Sequence, residues 1–291
     1  MVAAKCRRVL ATGLTLLCAL ALSACDDNAA PTPRAEPAPG HDHATHSHVS
    51  LAIGDGTSAK EVGYTLRGLR LPSKVGTPGT LRFVVDSFQG RPQTRFLKEQ
   101  TKLMHVYVVR KDLSIFRHVH PTMSDGGTWT SRLTLPEAGE YQVVTEFVAE
   151  DEGGNGDHVI LGDRADMGRA SKAVDLPAAS DTATSQGVTA RVTGELTAGK
   201  DGGALDVAIS RDGETASALE QYLGTFAHVT GFHAGNGAVV HMHPLGAPFE
   251  QAGRSTLSFH ATFPEPGDYR VFIQVRLDGF LHTIPITVAA S

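Results

Sequence analysis

The sequence predicts an all-β protein with two tandem β-sandwich domains, placed after a signal peptide and a tether. Three observations support this prediction. Short β-branched and aromatic runs are separated by Asp-Gly, Gly-Asn-Gly and Pro-Gly breaks, and no stretch keeps the apolar period of a helix. The ~240 residues after the tether are enough for two domains. An internal repeat also covers most of each half.

The repeat is visible in two pairs of strand-like segments. The pairs are residues 81–85 with 205–209, and residues 135–143 with 263–271. Each half therefore predicts a sandwich of about seven strands in roughly 100 residues. Two further corresponding stretches, residues 96–100 and 219–223, fit either one helical turn or a loop.

Composition divides the chain into five parts. We predict a signal peptide over residues 1–24, a lipidated cysteine and disordered tether over 25–59, a first sandwich over 60–176, a linker over 177–185 and a second sandwich over 186–291. The tether and the linker are rich in Pro, Ala, Ser or Thr and lack apolar periodicity, which is typical of unpacked chain.

The N-terminal segment has the pattern of a secretory signal. Three basic residues precede a mostly apolar run over residues 9–22, with no acidic residue. The segment ends in Leu22-Ser23-Ala24-Cys25, which resembles a bacterial lipobox and implies that Cys25 is lipid-modified. We therefore expect an exported protein, anchored by lipid at the outer side of the cytoplasmic membrane, in the periplasm or at the cell surface.

The cysteines and the charge limit the function classes. All three cysteines, Cys6, Cys18 and Cys25, lie within the first 25 residues, so the rest of the chain offers no disulfide and no thiolate ligand. Loss of the three basic signal residues makes the formal net charge of −5 still more negative. This balance argues against nucleic acid as a partner.

The tether carries a histidine tract. Its four members are His41, His43, His46 and His48. Such a tract is a candidate weak metal-collecting segment. The alternative is a solvated tether whose histidines have no function.

A histidine-bearing hairpin occurs once in each half. Each copy has a His, a second His thirteen positions on, and a third His two positions further, followed by Pro. The members are His105, His118 and His120 in the first half, and His228, His241 and His243 in the second. Side chains two apart on a strand share a face. A tight turn at Lys111-Asp112 would place His105 directly opposite His118.

A fourth histidine follows the Tyr-initiated strand in each half. These residues are His158 and His282, which are further candidate metal ligands. Each domain would then hold a His triad, or a tetrad if the fourth histidine joins it. The remaining two, His233 and His260, have no counterpart and are expected to be structural or surface residues.

The clustered histidines predict metal binding. Three neutral imidazoles on one patch each need a partner, and a metal ion satisfies all three. Nitrogen-rich sites suit Zn²⁺, Cu²⁺ or Ni²⁺. The alternative is a structural cluster in which each ring is held by the backbone. Met104 and Met242 adjoin these histidines, but strand alternation directs them to the other face.

The motifs also support a family resemblance. The duplicated sandwich, with His105-Val106 and His228-Val229, His-x-His-Pro and a Pro-x-x-Gly-x-Tyr strand, resembles bacterial exported proteins of immunoglobulin- or cupredoxin-like fold associated with copper or heavy metals. The resemblance covers residues 60–290. It implies an extracytoplasmic Cu or Zn carrier, buffer or sensor, with a metal transporter or chaperone as partner class. Electron transfer is not expected, because blue-copper sites use a Cys thiolate.

Two alternatives remain. A bicupin-like metalloenzyme is suggested by Gly235, His241 and His243, which fit the opening of a cupin metal motif. Glu250, however, lies further from His243 than that motif requires, and the Pro- and Gly-containing segment at residues 264–269 lacks the His of the second cupin motif. A cell-envelope scaffold or adhesion module with incidental histidines is the other. Because no nucleophile motif, phosphate loop or paired catalytic carboxylates occur, we expect a protein that is not an enzyme.

Overall fold

The computed structural model describes residues 52–169, 171–199, 203–215, 219–251 and 254–291. The side chains at positions 214, 215, 241, 243, 250, 251 and 254 are not described. The predicted signal peptide, Cys25 and the histidine tract lie outside the described residues. The described part is built of strands and turns, and within it no helix is long and apolar enough to cross a membrane.

The first repeat is a sandwich of two antiparallel sheets. One sheet has the order β1-β2-β3-β8-β7, and the other has the order β10-β9-β5-β6 with β4 also paired to β9. The strands are β1 (Lys60–Glu61), β2 (Tyr64–Arg70), β3 (Gly79–Asp86), β4 (Phe96–Leu97), β5 (His105–Arg110), β6 (Phe116–Val119), β7 (Thr122–Met123), β8 (Thr128–Leu133), β9 (Gly139–Glu150) and β10 (Gly156–Met167).

The second repeat has the same plan. Here β17 pairs with both β16 and β19 and so connects the two layers into one eleven-stranded sheet. One layer contains β11, β12, β13, β14, β18 and β19, and the other contains β15, β16, β20 and β21. The strands are β11 (Thr182–Ser185), β12 (Val188–Gly194), β13 (Gly203–Arg211), β14 (Glu214–Thr215), β15 (Leu219–Glu220), β16 (Ala227–His233), β17 (Val239–Pro244), β18 (Phe249–Gln251), β19 (Arg254–Ala261), β20 (Gly267–Leu277) and β21 (Phe280–Ala290).

The predicted all-β architecture of two tandem sandwiches is therefore confirmed. The two stretches that fitted a helical turn contain the short strands β4 and β15 instead. Positive φ angles at Gln100, Thr101 and Leu223 turn the chain after them, and this conformation is incompatible with a right-handed helical turn. β11 begins at Thr182, inside the predicted linker. Ile53, inside the predicted tether, forms a β-bridge with Val159 of β10.

Each sandwich has its own core, built by the two-residue period of its strands. In β5, Val106 and Val108 enter the core of the first repeat, while His105, Tyr107 and Val109 point the other way. All six residues of β5 are buried. A strand buried on both faces requires a second packing partner, and the second repeat provides it.

A third apolar cluster joins the two repeats. Its members from the first repeat are Tyr107, Val109, Leu113, Phe116, Val144 and Ile160, and those from the second are Phe232, Val239 and Phe272. The rings of Phe116 and Phe272 stack with centroids 4.2 Å apart and planes at 8°. We call this surface the inter-repeat face. It brings the sheet that contains β5, β6 and β9 against the sheet that contains β16 and β20.

Candidate metal centre

The histidine hairpin of the first repeat has a different register from the predicted one. β5 and β6 pair with Tyr107, not His105, opposite His118. The reason is a longer turn: the backbone N–H of Arg110 bonds to the carbonyl of Ile115, and Leu113 takes a φ of 59°. The resulting shift is two residues, which leaves every side chain on its predicted face.

The three histidines of this hairpin converge. Nδ1 of His105 and Nε2 of His118 are 3.1 Å apart, and Nε2 of His120 is also 3.1 Å from Nε2 of His118. One ring nitrogen from each residue lies within 4.8 Å of the other two. Two nitrogens bound to one tetrahedral zinc ion at about 2.0–2.1 Å are about 3.3 Å apart. Two of the three nitrogen–nitrogen spacings in this triad are therefore close to those of a ligand set.

Outer hydrogen bonds fix which nitrogens face the centre. Nε2 of His105 lies 3.0 Å from the carbonyl oxygen of Glu99, so Nε2 carries the hydrogen and Nδ1 keeps its lone pair. Nδ1 of His118 lies 2.7 Å from Oε1 of Gln274, so it donates there and Nε2 keeps the lone pair. Oriented imidazoles of this kind are the usual surroundings of a metal ligand.

Neutral rings give the two 3.1 Å contacts of His118 Nε2 only one hydrogen bond. In one arrangement Nε2 of His118 accepts a hydrogen bond from Nε2–H of His120. Nε2 of His118 and Nδ1 of His105 then both carry lone pairs, and no hydrogen lies between these two atoms. In the other arrangement the Gln274 amide is turned over and donates to Nδ1 of His118, so that Nε2 of His118 carries the hydrogen. That single hydrogen then faces two acceptors, Nδ1 of His105 and Nε2 of His120. Neither arrangement gives each of the two 3.1 Å contacts its own hydrogen bond. A cation at this point would accept a lone pair from each of the three rings.

The surroundings also keep the rings of His118 and His120 neutral at pH 7. Burial lowers the pKa of His118 well below the usual 6.5, and the neighbouring His120 and His105 lower it further. Burial, followed by His105 and Lys102, lowers the pKa of His120 to about 3. Neutral imidazoles retain the lone pairs that a metal requires.

The second repeat contributes to the same centre. Besides Gln274, it places His228 against the triad, with ring centroids 4.5 Å from His118 and 5.4 Å from His105. The expectation of two separate sites, one inside each domain, is therefore wrong for His228. The first-repeat triad and this second-repeat histidine share the inter-repeat face.

A buried polar chain runs beside the triad. The Tyr107 hydroxyl donates to Oε2 of Glu146 at 2.7 Å, and Nε2 of His158 lies 2.9 Å from Oε1 of the same carboxylate. Nε2 of His228 lies 3.0 Å from the Tyr107 oxygen. Burial, and then the charge of Glu146, raises the pKa of Tyr107 well above 10.0. His158 is thus near the cluster but contacts the carboxylate.

His282 does not join the set, contrary to the prediction. It pairs with Val275, which lies in the core of the second repeat, whereas His228 pairs with Gln274 on the inter-repeat face. The second-repeat position that matches His158 is Leu281, one residue earlier. A slip of one residue moves a side chain to the other face. His282 is 5% exposed, and neither ring nitrogen has a hydrogen-bond partner among the described residues.

The other histidines occupy varied positions. His241 pairs with Thr230 in the backbone register and His243 pairs with His260, but the side chains of His241 and His243 lie outside what is described. His233 contacts Asn236 in a turn, and His260 is exposed. Met104 and Met242 are buried in the cores of the first and the second repeat.

Four residues that take part in the site were not among those predicted from the sequence: Glu99, Gln274, Tyr107 and Glu146. The Glu99 contribution is a backbone carbonyl, and Gln274 comes from the other repeat, so no local pattern indicates either one. Tyr107 and Glu146 did leave a signal. They lie in stretches of β5 and β9 that are buried on both faces, and a polar group in such a stretch needs a buried partner.

The fold and the cluster define a tandem β-sandwich protein with a candidate metal centre where its repeats meet. The chain belongs to the family described as "Domain of unknown function (DUF8832)", whose model matches residues 58–158 and 183–291. The two matches coincide with the two sandwiches. No curated protein matches the chain by sequence.

Several solved structures are distantly similar. Invasin, a bacterial integrin-binding protein, is 14% identical with a TM-score of 0.20, over 77% of this chain and 39% of that chain. The Yersinia pseudotuberculosis adhesin InvE is 10% identical with a TM-score of 0.21, over 81% and 60%. The E. coli alpha-2-macroglobulin is 13% identical with a TM-score of 0.23, over 78% and 16%. The chain thus spans less than two thirds of each of these proteins.

Proposed function

We propose that this protein binds a divalent copper or zinc ion through His105, His118 and His120 and acts as an extracytoplasmic metal carrier, buffer or sensor. The observation that supports this most is the convergence of three ring nitrogens, two of which, in His105 and His118, have outer hydrogen bonds that direct their lone pairs to the centre. Nitrogen donors without a thiolate favour Cu²⁺ or Zn²⁺ over Cu⁺.

The site suits exchange better than permanent storage. Three protein ligands leave a coordination position open, whereas structural zinc sites are closed by four. His118 and His120 are half-buried, so solvent reaches the edge of the cluster. An ion bound in this way can be passed to an incoming ligand of a transporter or chaperone. Lipidation at Cys25 would hold the carrier at the outer side of the membrane.

The test is metal uptake by the full chain. The four tract histidines are replaced by alanine, no affinity tag is used, and the chelator-treated protein is titrated with Cu²⁺ and with Zn²⁺. We expect tight binding of at least one ion, and one fewer in the variant carrying His118→Gln and His120→Gln. His233→Gln is the control, because His233 is the last residue of β16, where it contacts Asn236 and not the triad. A parent that takes up neither ion would leave the histidines structural and favour the scaffold function.

Deletion of residues 41–48 provides a second check. If the tract collects metal weakly, the deletion lowers total loading and preserves the tightest class of sites. Loss of the tightest class would place the principal site in the tether.

A further inference from the structure

The end of the predicted tether lies between the two repeats. We call this segment, residues 52–58, the clasp. It extends the sheet of the first repeat, because the N–H of Ile53 donates to the carbonyl of His158 in β10 at 2.8 Å. It also reaches the second repeat, where the N–H of Val239 in β17 donates to the carbonyl of Asp55 at 2.7 Å. The clasp therefore has backbone hydrogen bonds to both repeats.

Two glycines permit this close packing. Gly56 has a φ of 75°, and a Cβ there would lie 2.9 Å from Cγ1 of Val144 and 3.2 Å from Cγ2 of Val239. Gly162 of β10 leaves room for the clasp, since a Cβ at Gly162 would lie 1.7 Å from the carbonyl oxygen of Gly56. Gln142 also donates to this oxygen, but the backbone bonds of the clasp do not depend on it.

The clasp takes the place of a direct contact between equivalent side chains. By hairpin register, Phe116 is equivalent to Val239. By the same register, Val144 is equivalent to Phe272. On one side of the inter-repeat face the two phenylalanine rings stack, with centroids 4.2 Å apart. On the other side the two smaller valines both adjoin Gly56, so the clasp packs between them where the rings pack against each other.

A row of directly paired residues crosses the sheet from the clasp to the triad. Its members, in order, are Gly162, Val144, Tyr107 and His118. Val144 and Tyr107 both belong to the apolar cluster that joins the repeats. Nδ1 of His118 depends on Gln274 of the second repeat, 2.7 Å away. A separation of the repeats at the clasp would therefore move Gln274 away from the ligand that it orients.

We propose that the clasp regulates the affinity of the metal centre, so that the ion binds tightly while the clasp is seated and is released when the clasp leaves. This inference rests on the proposed metal-binding function and adds its regulation. The tether directly precedes the clasp in the sequence, so tension on the tether promotes release of the ion. Because coupling between two equilibria is reciprocal, the bound ion must stabilise the seated clasp by the same factor.

Amide hydrogen exchange tests this reciprocal effect without any change at the clasp. The protein is the full chain with its tract histidines replaced by alanine, and the probe is Cu²⁺ or Zn²⁺, whichever ion the parent binds tightly. Exchange in residues 52–58 reports local opening of the clasp. We expect the bound ion to slow this exchange about 10-fold, the lower end of the usual effect of a ligand's outer partner on affinity.

Two variants test the forward effect. Gly162→Ala displaces the clasp because the added methyl meets the carbonyl of Gly56, and Ile53→Pro removes the N–H that bonds to β10. We expect each variant to bind the ion about 10-fold more weakly. Gly126→Ala is the control: Gly126 lies in the turn between β7 and β8, and among the described residues a Cβ there meets no atom within 4 Å beyond its chain neighbours. Trp129 fluorescence and circular dichroism show whether each variant is folded.

The outcomes separate this inference from the proposed function. Slower exchange in the clasp on metal binding, with weaker binding by the folded variants, supports the regulation. Unchanged exchange in residues 52–58 of a metal-loaded parent, or parent affinity in both folded variants, would overturn the regulation and leave metal binding in place. A parent that binds neither ion would overturn both. If a variant does not fold, the exchange measurement on the parent still decides.

Discussion

A ring nitrogen can bind a metal only when its hydrogen is on the other nitrogen, so the outer partner of each histidine decides its role. His118 depends for this on Gln274, a residue of the other repeat. The contact links the ligand set of one sandwich to the position of the other. His105 depends on a backbone carbonyl instead, which a side-chain substitution cannot remove.

Gln274→Leu tests this dependence. We expect metal affinity to fall about 10–100-fold, the usual effect of losing an outer partner of a ligand. Titration calorimetry measures it. Gln142→Leu is the matched control, because Gln142 is also a buried glutamine that bonds across the repeats, to the carbonyl of Gly237, besides its bond to the carbonyl of Gly56. Equal loss of affinity in the two variants would show that Gln274 acts on the interface and not on His118.

The lowered pKa values of His118 and His120 predict a pH dependence of stability. The unfolded chain binds protons on these rings below pH 6.5, whereas the folded chain resists until about pH 3 for His120. The stabilisation is therefore complete above pH 6.5 and is lost as the pH falls towards 3. Denaturant unfolding of the metal-free protein from pH 7 to 4 measures this. His120→Gln should give a shallower slope, and an unchanged slope would refute the assignment.

At the scale of elements, register determined which sequence predictions held. The triad His105, His118 and His120 was predictable because a two-residue shift of β6 leaves the face unchanged. The pairing of His158 with His282 failed because the two hairpins differ in length. The turn between β9 and β10 spans residues 151–155, while that between β20 and β21 spans 278–279. His158 and His282 are each the third residue of the strand that follows the turn, but this difference in hairpin length puts them on opposite faces.

The β6 strand also carries the apolar contact that seats the repeats together. Phe116→Ala should destabilise the protein by about 3–5 kcal/mol, because it leaves a cavity against Phe272. It should also weaken metal binding, since the same strand carries His118. Chemical denaturation and metal titration measure the two effects. Phe88→Ala, at a side chain that is 76% exposed, should change neither. A destabilised Phe116 variant with unchanged affinity would show that the centre does not need this packing.

At the scale of the molecule, the sequence indicated two sandwiches but not their mutual packing. The signal that it did contain is β5, His-Val-Tyr-Val-Val-Arg, whose residues are buried on both faces. An antiparallel strand with one solvent face would alternate apolar and polar residues. Which surface covers it depends on contacts more than a hundred residues away, such as Tyr107 with His228, and no local periodicity encodes these.

The inter-repeat face predicts that the two sandwiches unfold together. The protein has one tryptophan, Trp129, buried in the first repeat, so its fluorescence reports that repeat alone. Phe259 is fully buried in the core of the second repeat. We expect Phe259→Ala, which costs about 3–5 kcal/mol at a buried site, to lower the midpoint of the Trp129 transition. Phe280→Ala, at an exposed position of the same repeat, should not move it. If the Trp129 transition stays in place while circular dichroism shows an earlier loss of β-structure, the repeats unfold independently, and the centre between them cannot couple their stability.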